Sequence, residues 1–429
     1  MIKLKALSLG LVLVLMVGCA TYSDSFRQVE QQISQQNFDQ ALKLLEKNKG
    51  NKRDYVLYLM NKGMVARMAG QYGLSNQMLE EAKELAAQLQ AVSVSETAGA
   101  TTVNDGMRSY AGDKHELLFL HLYKALNYLE MGEPDNARIE ALQFDVKLDE
   151  LRSQKAQGSA FANYVSGLVF ESLEEWDNAL ISYRKAMESY DSNLKKVGVA
   201  VPDVLKRDLL RLTKRQDFPD EHEKLKSRFN TVQWQNDVDL SEKGEVIILV
   251  HNDLAPIKRE KASQGHGKDG ELVRISLPYY ETRPKFLDKA SVHVGGGATV
   301  DMDLVEDVEQ LAINALDSQM GGILARAIAR AVIKQKAAKS ASKQNGALGL
   351  AVNIAGFVSE RADTRSWVTL PNNLYMSRLA LDPGEYDIDV KLYDHNGNTL
   401  LNKTFTAVPV SPGRKLIKSV HWVAKRAKK

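Results

Sequence analysis

The sequence predicts a multidomain protein in which an α-helical repeat solenoid is followed by an α+β module that ends in a small antiparallel β-sandwich. The length of 429 residues exceeds what one ordinary hydrophobic core organises, so two or three domains are expected. Helical periodicity with a recurring spacing of small and bulky residues runs from residue 25 to about 190. After residue 240, short apolar and alternating segments separated by Gly and Pro indicate strands.

Composition excludes several classes of protein. Apolar residues make up 44% and charged residues 26%, which is typical of a soluble globular protein rather than a membrane bundle or a disordered chain. The net charge of +3 comes from 57 basic and 54 acidic residues, so nucleic acid is not an expected partner. Basic residues gather at the C-terminus, where a solvated tail is expected and a contact with anionic lipid or glycan is the alternative: Lys425, Arg426, Lys428 and Lys429.

The N-terminus has the order of an export signal. Two lysines lie within Met1–Lys5, an apolar stretch covers Ala6–Val17, and Gly18 precedes Cys19. The apolar stretch is shorter than a transmembrane helix requires. The run Leu15-Met16-Val17-Gly18-Cys19 resembles a lipobox, in which the chain is cut before the cysteine and its thiol receives a lipid, although Met16 stands where lipoboxes prefer Leu. An ordinary secretory signal with an incidental cysteine is the alternative.

This resemblance implies a lipoprotein with a signal peptide over residues 1–18, a palmitate-type acyl anchor on Cys19 and a tether over residues 19–24. Each buried methylene contributes about 0.8 kcal/mol, so more than one acyl chain gives a stable anchor. Ala20 differs from the Asp of inner-membrane retention signals, which implies the periplasmic face of the outer membrane. Because Cys19 is the sole cysteine, the body of the protein forms no internal disulfide.

The helical part, residues 25–230, repeats one spacing of small and bulky residues. The copies are Gly63, Ala66, Gly70, Tyr72, Ser75, Leu79 and Ala82; Ala125, Tyr128, Gly132, Ala137 and Ala141; Gly167, Phe170, Glu174, Trp176, Ala179, Tyr183 and Ala186; and a half copy, Phe38, Ala41 and Leu45. They resemble tetratricopeptide repeats, which implies stacked helix pairs with an aromatic core and a concave face that binds a partner. Residues 93–113 predict a loop, and the charged stretch Lys206–Asn230 with Pro219 predicts a solvated helix and a linker.

Residues 244–361 predict an α+β module. Gly244–His251 is a continuous apolar run typical of a buried strand, and Leu272–Leu277 alternates as a half-buried strand does. A helical pair is expected over residues 304–358, either buried against a sheet or lying on a membrane surface with its arginines toward lipid phosphate. Gly295-Gly296-Gly297 is followed by an extended pattern and not by a helix, so it does not favour a phosphate-binding loop.

Residues 362–429 predict a β-sandwich-like domain. Tyr386–Tyr393 alternates with a period of two, and Thr404–Val410 and Leu416–Val423 supply further strands. Asn396-Gly397 predicts a hairpin turn with positive φ at both residues.

Several segments together resemble one family. They are the lipobox at Cys19, the run Leu122–Leu129 and a segment made of Asp363, Thr364, Arg365, Ser366, Trp367 and Pro371. The chain is similar to a family of tetratricopeptide-containing bacterial lipoproteins without a settled activity, and this resemblance implies a class and not a mechanism. Members resemble companions of lipoproteins that activate penicillin-binding proteins, which implies the peptidoglycan-synthesis machinery as a partner.

The sequence contains no evident catalytic or metal-binding pattern. His115-Glu116 begins a metalloprotease-like motif, but Phe119 stands one helical turn on and His121 comes two places too late. No serine lies in a Gly-x-Ser-x-Gly turn, and the lipid occupies the only thiol. An arginine beside a carboxylate, as in the segment at 363–367, is more often a structural ion pair than a site. We therefore expect a non-enzymatic protein that needs no metal and no cofactor beyond the lipid on Cys19.

The resulting hypothesis is an outer-membrane-anchored scaffold or assembly factor that binds other envelope proteins through the groove of its helical repeats. Two alternatives stay open. One is a regulator of peptidoglycan synthesis that contacts a synthase through its β-domain. The other is an enzyme that acts on envelope glycan or lipid, which requires a pocket with converging polar groups between the two halves.

Overall fold

A computed structural model describes residues 26–95, 105–153, 158–267, 270–295, 297 and 299–426. Cys19, the predicted signal peptide and the tether at 19–24 lie outside the described residues, as do residues 96–104 of the predicted loop, Gly296 and Lys428–Lys429. Within the described ranges, a tetratricopeptide-like helical region is followed by a separate sheet-rich region with antiparallel strands, as the sequence predicts.

The helical region consists of helix pairs, each joined by a short turn. In the described part of residues 26–228 there are five pairs: α1 (Arg27–Ser34) with α2 (Phe38–Lys47), α3 (Tyr55–Met68) with α4 (Tyr72–Ser95), α5 (Lys114–Glu130) with α6 (Pro134–Ser153), α7 (Ala160–Ser172) with α8 (Trp176–Val197), and α9 (Asp203–Arg215) with α10 (Pro219–Arg228). We call this stack the helical array, and its first and second helices the inner and outer helices.

The turns of the five pairs are alike. Each contains one residue in the left-handed region, with φ between 56° and 75°: Gln36, Gly70, Gly132, Glu174 and Asp217. The next residue donates its N–H to the carbonyl five residues earlier, as from Gln71 to Ala66 at 2.9 Å and from Phe218 to Thr213 at 3.0 Å. This arrangement satisfies carbonyls that the end of an α-helix leaves free, and it reverses the chain within three residues.

The fifth pair corrects the interpretation of Lys206–Asn230 as a solvated helix and a linker. Leu205, Leu209 and Leu212 of α9 are buried in the array, so α9 is amphipathic rather than solvated. Pro219 does not interrupt a helix, because it occupies the first turn of α10, where the missing N–H has no helical partner to lose. The even scatter of charges in the sequence concealed the apolar side of α9.

Small residues allow the helices of a pair to approach closely. A Cβ atom on Gly63 would lie 2.8 Å from the Leu79 side chain, and one on Gly167 would lie 2.2 Å from the ring of Tyr183. Both glycines belong to the inner helix of a pair, and both contacting side chains belong to its outer helix. A larger residue at either position would therefore push the two helices apart.

The sheet-rich region contains ten strands within the described residues. They are β1 (Gly244–Asn252), β2 (Ile257–His266), β3 (Leu272–Glu281), β4 (Lys289–Val294), β5 (Thr299–Asp301), β6 (Asp303–Asp307), β7 (Asn373–Leu381), β8 (Gly384–Tyr393), β9 (Thr399–Val410) and β10 (Lys415–Trp422). The helices of this half are α11 (Asp237–Ser241), α12 (Val308–Gln344) and α13 (Gly346–Ser359).

Two four-stranded sheets stack on the helical array. The inner sheet has the order β10-β1-β7-β6, with β1 parallel to β10 and antiparallel to β7, and the outer sheet has the antiparallel order β5-β4-β8-β9. Strand β1 is buried throughout, which explains its continuous apolar run. Ile247 and Leu249 of β1 belong to the core shared with the helices, whereas Val246 and Ile248 belong to the core between the sheets.

The sandwich therefore extends beyond the predicted domain at residues 362–429. Strands β1 and β6 complete the inner sheet and β4 and β5 complete the outer sheet, and all four come from the segment 244–361. The backbone groups of β1 are bonded on one side to β7 and on the other to β10. Neither the segment 244–361 nor the segment 362–429 can form the two sheets alone, because its strands would then have unpaired edges.

Two local predictions also differ from the structure. The first residues of the predicted helix at 304 form β6, and α12 begins at Val308, where the Asp307 carboxylate accepts the N–H of Gln310 at 2.9 Å as an N-cap. In the turn between β8 and β9 only Gly397 has positive φ, because the Asp394 side chain holds the turn by accepting the N–H groups of Asn396 and Asn398.

Helices α12 and α13 form a hairpin that is packed on one side only. Leu311 and Leu316 at the start of α12 are buried, but in α13 the only described residue that is buried is Gly349. The Asn353 side chain bonds the N–H and the carbonyl of Leu272, both at 3.0 Å, which fixes α13 to β3. The expectation of a buried hairpin thus holds for one side alone. No helix in the described ranges is long and apolar enough to cross a membrane.

Candidate functional site

The inner face of the helical array, where the sequence predicts a groove for partners, is covered by the inner sheet. Asn61 on α3 accepts the N–H of Thr369 at 3.2 Å, and Arg67 on the same helix donates to the Ser419 hydroxyl at 2.7 Å. Tyr123 on α5 packs edge-on against Trp367, with ring centres 6.3 Å apart. The prediction of an open groove is therefore wrong. The inner helices are apolar on nearly all sides, so the side that faces away from the outer helices must also be buried, and the inner sheet of the same chain buries it.

The family-like segment at 363–371 is part of this junction. Arg365 pairs with Asp363 at 2.6 Å and with Asp54 of the array at 3.0 Å, and its guanidinium lies over the ring of Tyr110. Trp367 is 1% exposed. Its indole N–H donates to Thr369 at 3.0 Å. Thr364, Ser366 and Pro371 lie in the same stretch, ahead of β7. Asp363, Arg365 and Trp367 thus connect the two halves and do not line an open site.

Glu116 lies at the centre of a buried group of ionisable residues next to this segment. Its carboxylate accepts the N–H of Trp367 at 2.6 Å and also contacts the Tyr110 hydroxyl. Burial, followed by the charge of Asp113, raises the pKa of Glu116 to about 7. Burial lowers the pKa of His115 to about 4. His121, the other histidine of the motif, instead lies 2.8 Å from Glu140.

None of these groups forms a metal site: across the described residues, no three His, Cys, Asp or Glu side chains are arranged to hold an ion.

An ion network joins α7 and α9 to the inner sheet. Arg378 of β7 pairs with Glu171 at 2.6 Å, with Asp208 at 2.9 Å and with Glu245. Arg211 pairs with Glu171 at 2.7 Å. Burial alone would raise the pKa of Glu245, but the charges of Arg378 and Lys415 outweigh it and lower this pKa to about 2. The network therefore keeps Glu171 and Glu245 ionised and paired, whereas burial outweighs the charge of Arg378 at Asp208 and raises its pKa.

A buried histidine pair lies in the same interface. His251 of β1 and His421 of β10 are opposite each other in the parallel register, and their rings stack with centres 4.2 Å apart. The Tyr123 hydroxyl is 3.4 Å from His251 Nδ1. Burial lowers the pKa of both histidines well below its usual value, and the nearby charge of Arg67 adds to this. Both imidazoles are therefore neutral near pH 7.

A cleft of about 660 Å³ opens above the ion network, between α9, α11 and the two sheets. Its floor contains Asp208, Arg211 and Arg378, which pair with one another, and Trp234 and Tyr386 contribute aromatic rings. The described residues that line it include no Ser, Thr, Cys or His. Converging polar groups are thus present between the two halves, as the enzyme alternative requires, but Asp208, Arg211 and Arg378 are already paired.

The outer helices carry an apolar surface that the sequence analysis did not identify. Ile139, Leu142 and Val146 lie along one side of α6 and are 56%, 46% and 60% exposed. Ile181 of the neighbouring α8 is 47% exposed. We call Ile139, Leu142 and Val146 the outer row. Their spacing of three and four residues, offset from the buried Ala137, Ala141 and Phe144, is the signal in the sequence that could have found them.

The described residues thus join a tetratricopeptide-like helical region to a separate sheet-rich region with antiparallel strands. Among solved structures, MamA from Desulfovibrio magneticus RS-1 is 14% identical, over 48% of this chain and 90% of its own, with a TM-score of 0.31. BtubC (BKLC) from P. vanneervenii is 12% identical, over 48% of this chain and 74% of its own, with a TM-score of 0.33. The apo form of RapI is 12% identical, over 49% and 53%, with a TM-score of 0.36.

Scores as low as these give no information about what this chain binds. No family model matches the chain, and no curated protein matches it.

Proposed function

We propose that this protein is a non-catalytic, protein-binding scaffold of the bacterial cell envelope, tethered by an acylated Cys19 at the periplasmic face of the outer membrane. Its partner binds to the outer face of the helical array, and no cofactor other than the covalent lipid takes part. The outer row carries this proposal. Three aliphatic side chains on one side of a helix are exposed at 46% to 60%, whereas the inner face has been covered by the chain itself.

The outer row has the properties of a protein-binding surface. Full burial of an aliphatic side chain contributes about 1.5–3 kcal/mol, so covering the row supplies a large part of the affinity of a moderate complex. Arg138–Glu175 and Lys185–Asp145 pairs lie beside the row between α6 and α8, at 2.6 and 3.5 Å. An apolar centre with a charged rim is the usual composition of an interface.

In-cell crosslinking tests the location of this surface. The double variant Leu142→Asp, Val146→Asp should lose at least about tenfold of the crosslinked partner, because the two buried aspartates together remove more than about 1.4 kcal/mol of binding free energy. Leu194→Asp is the matched control, since Leu194 is a similarly exposed apolar residue of α8 outside the row. Recovery of the same partners by the double variant and by the control would reject the outer row.

The anchor is tested separately. After a high-salt wash, which weakens charge-dependent contacts with lipid, the Cys19→Ser variant should leave the membrane fraction, because the thioether and its acyl chains are lost. Mass spectrometry of the parent should find a lipid mass on Cys19. An unmodified Cys19, or a variant that stays with salt-washed membranes as the parent does, contradicts the tether but leaves the outer row untouched.

The cleft favours a second candidate, the recognition or turnover of an envelope glycan. Aromatic rings beside paired charged groups are a suitable lining for a sugar, which offers both apolar faces and hydroxyls. Soluble peptidoglycan fragments should then bind the parent in calorimetry and bind Trp234→Ala at least about tenfold more weakly. Equal binding, or none to either, excludes this candidate.

Regulation of peptidoglycan synthesis stays a prediction, and unchanged peptidoglycan labelling in a deletion strain would remove it.

A further inference from the structure

The second part of α12 and the whole of α13 form an arm, residues 318–359, in which each helix carries exposed apolar side chains. Of the eighteen large apolar side chains that are exposed in the described part of the chain, eight lie in these residues. They are Leu324, Ile328, Val332, Ile333, Leu348, Leu350, Ile354 and Val358. Exposed apolar residues are common singly, but a concentration of this kind indicates a surface that binds something.

The exposed side chains form two rows with helical spacing. Leu324, Ile328 and Val332 follow one another at intervals of four on α12. Leu350, Ile354 and Val358 do so on α13. Residues four apart lie on the same side of a helix, so each row runs along one side.

The contacts that hold the arm together lie elsewhere. A Cβ atom on Gly349 would lie 1.7 Å from the Ser342 hydroxyl, which shows how closely the two helices approach. Lys334 donates to the carbonyl of Gly356 at 3.2 Å. The two apolar rows therefore remain exposed to solvent after α12 and α13 have packed against each other.

The charge of the arm has one sign. Residues 318–359 contain six basic residues and no acidic one. Glu360, just beyond the arm, pairs with Arg330 at 3.1 Å and with Lys334 at 2.6 Å, and Glu271 of the neighbouring hairpin pairs with Lys339 at 3.4 Å. Lys336 and Lys343 lie exposed near the end of the hairpin. Even with these two carboxylates and the exposed Asp317 just before the arm, the six basic residues leave the surface positive.

We propose that the arm lies on an anionic lipid surface, with its two apolar rows in the boundary between headgroups and acyl chains and its lysines at the lipid phosphates. Helix α13 has 14 residues, and a helix of this length spans only about 21 Å, less than the hydrocarbon thickness of about 30 Å. It is therefore suited to lie along the interface and not to cross it. A second copy of the chain would place two cationic arms together, and their repulsion disfavours that occupant.

This inference depends neither on the lipid at Cys19 nor on the outer row. It predicts a contact made by the arm itself, with a strength that depends on lipid charge. Each lysine near an anionic surface should contribute about fivefold to binding, and salt should weaken the contact.

The chain offers a clean local probe because Cys19 is its sole cysteine. In the full chain with Cys19→Ser, Ile354→Cys is labelled with an environment-sensitive fluorophore, and Glu223→Cys on α10 is the matched control, since Glu223 is also exposed. Vesicles contain phosphatidylcholine alone, or phosphatidylcholine with about one third phosphatidylglycerol. The two labelled proteins have the same N-terminus, so a difference between them reports the arm.

The label at position 354 should brighten and shift to shorter wavelength with the anionic vesicles only, whereas the label at 223 should not change. Adding Lys336→Gln and Lys343→Gln should weaken the titration at 354 by about twenty-five-fold, the product of the two lysine contributions. Circular dichroism checks that each variant is folded.

No response at 354 to anionic vesicles overturns the proposal. So does an equal response to neutral vesicles, because then charge has no role. A response that appears on raising the protein concentration without vesicles would also overturn it, since a second copy would then cover the arm.

Discussion

The covered inner face of the helical array and the arm both combine arginine or lysine with aliphatic residues. They differ in whether the charged residues are paired within the fold and whether the aliphatic residues are buried. On the inner face Arg211 and Arg378 are buried, and each is held by two or more carboxylates. On the arm the aliphatic residues are exposed, and residues 318–359 contain no acid at all. A charge that is buried needs a partner within the fold, whereas an apolar row left in water indicates a partner outside it.

The strongest way to break this comparison is to remove the central cation of the inner face. Arg378→Met leaves Glu171, Asp208 and Glu245 buried without their shared partner, so the free energy of unfolding should fall by about 3–5 kcal/mol. Denaturant unfolding at neutral pH measures the loss. Arg259→Met is the control, because the Arg259–Glu281 pair is exposed and should be worth less than about 1 kcal/mol. Equal losses would show that the network does not join the two halves.

Close packing within a helix pair is the next largest effect. Gly167→Ala places a methyl group 2.2 Å from the Tyr183 ring, so the ring or the helix must move, at a cost of about 1–3 kcal/mol in the free energy of unfolding. Gly73→Ala in α4 is the matched change, since a Cβ there meets no atom within 4 Å. It should be neutral or stabilise by up to about 1 kcal/mol, because alanine restricts the unfolded chain. The melting temperature should fall for Gly167→Ala and should stay the same or rise for Gly73→Ala.

The buried histidine pair predicts a pH-dependent effect. Because the pKa of His421 is lowered in the folded protein, the unfolded chain binds the additional proton, and stability falls as pH decreases below the usual histidine pKa of about 6.5. His421→Leu removes this contribution. The free energy of unfolding of the variant minus that of the parent should therefore rise by about 1.4 kcal/mol for each pH unit below 6.

The difference between the two proteins is the quantity to measure, because other groups act in the opposite sense. Burial raises the pKa of Glu116 and of Glu306 to about 7, so in the folded state each binds a proton that the unfolded chain releases, and each adds stability as pH falls through that value. A difference that stays constant from pH 7 to pH 5 would mean that the pKa of His421 is the same in the folded protein as in the unfolded chain.

The smallest expected effect lies on the arm. Ile354→Ser should change the free energy of unfolding by less than about 0.5 kcal/mol, because the side chain is exposed. The same substitution at Ile247, which is 1% exposed on β1, should cost about 2–5 kcal/mol. A large loss from Ile354→Ser would mean that the arm uses its apolar rows for its own folding, and the contrast between the two regions would disappear.

The sequence predicted the helical region, the buried β1 and segments of β3, β8, β9 and β10, because these depend on local periodicity and on small residues at fixed spacing. It did not predict β2, whose outer half alternates little because it is exposed on both faces. It also missed that β1 pairs with β10, since pairing between distant strands has no local signal. The ion network escaped prediction for the same reason: Glu171, Asp208, Glu245 and Arg378 look like surface residues until the fold brings them together.

The aspartate, arginine and tryptophan of the 363–367 segment were recognised as a group, and their interpretation as a structural ion pair fits the contacts of Arg365 with Asp54 and Asp363. The covered groove was not foreseeable, because a repeat pattern describes how helices stack and not what later in the chain packs on them.

Because β1 pairs with β10, the inner sheet can be completed only late in the synthesis of the chain. Strand β10 is the latest in chain order among the described strands, and its backbone groups complete one edge of β1, from Glu245 opposite Lys415 to Asn252 opposite Trp422. A nascent chain that has emerged only as far as β9 leaves one edge of β1 unpaired. It also leaves the inner face of the helical array incompletely covered. An open strand edge can pair with other chains, so a stop codon before Lys415 would leave β1 as an unpaired edge strand and favour aggregation.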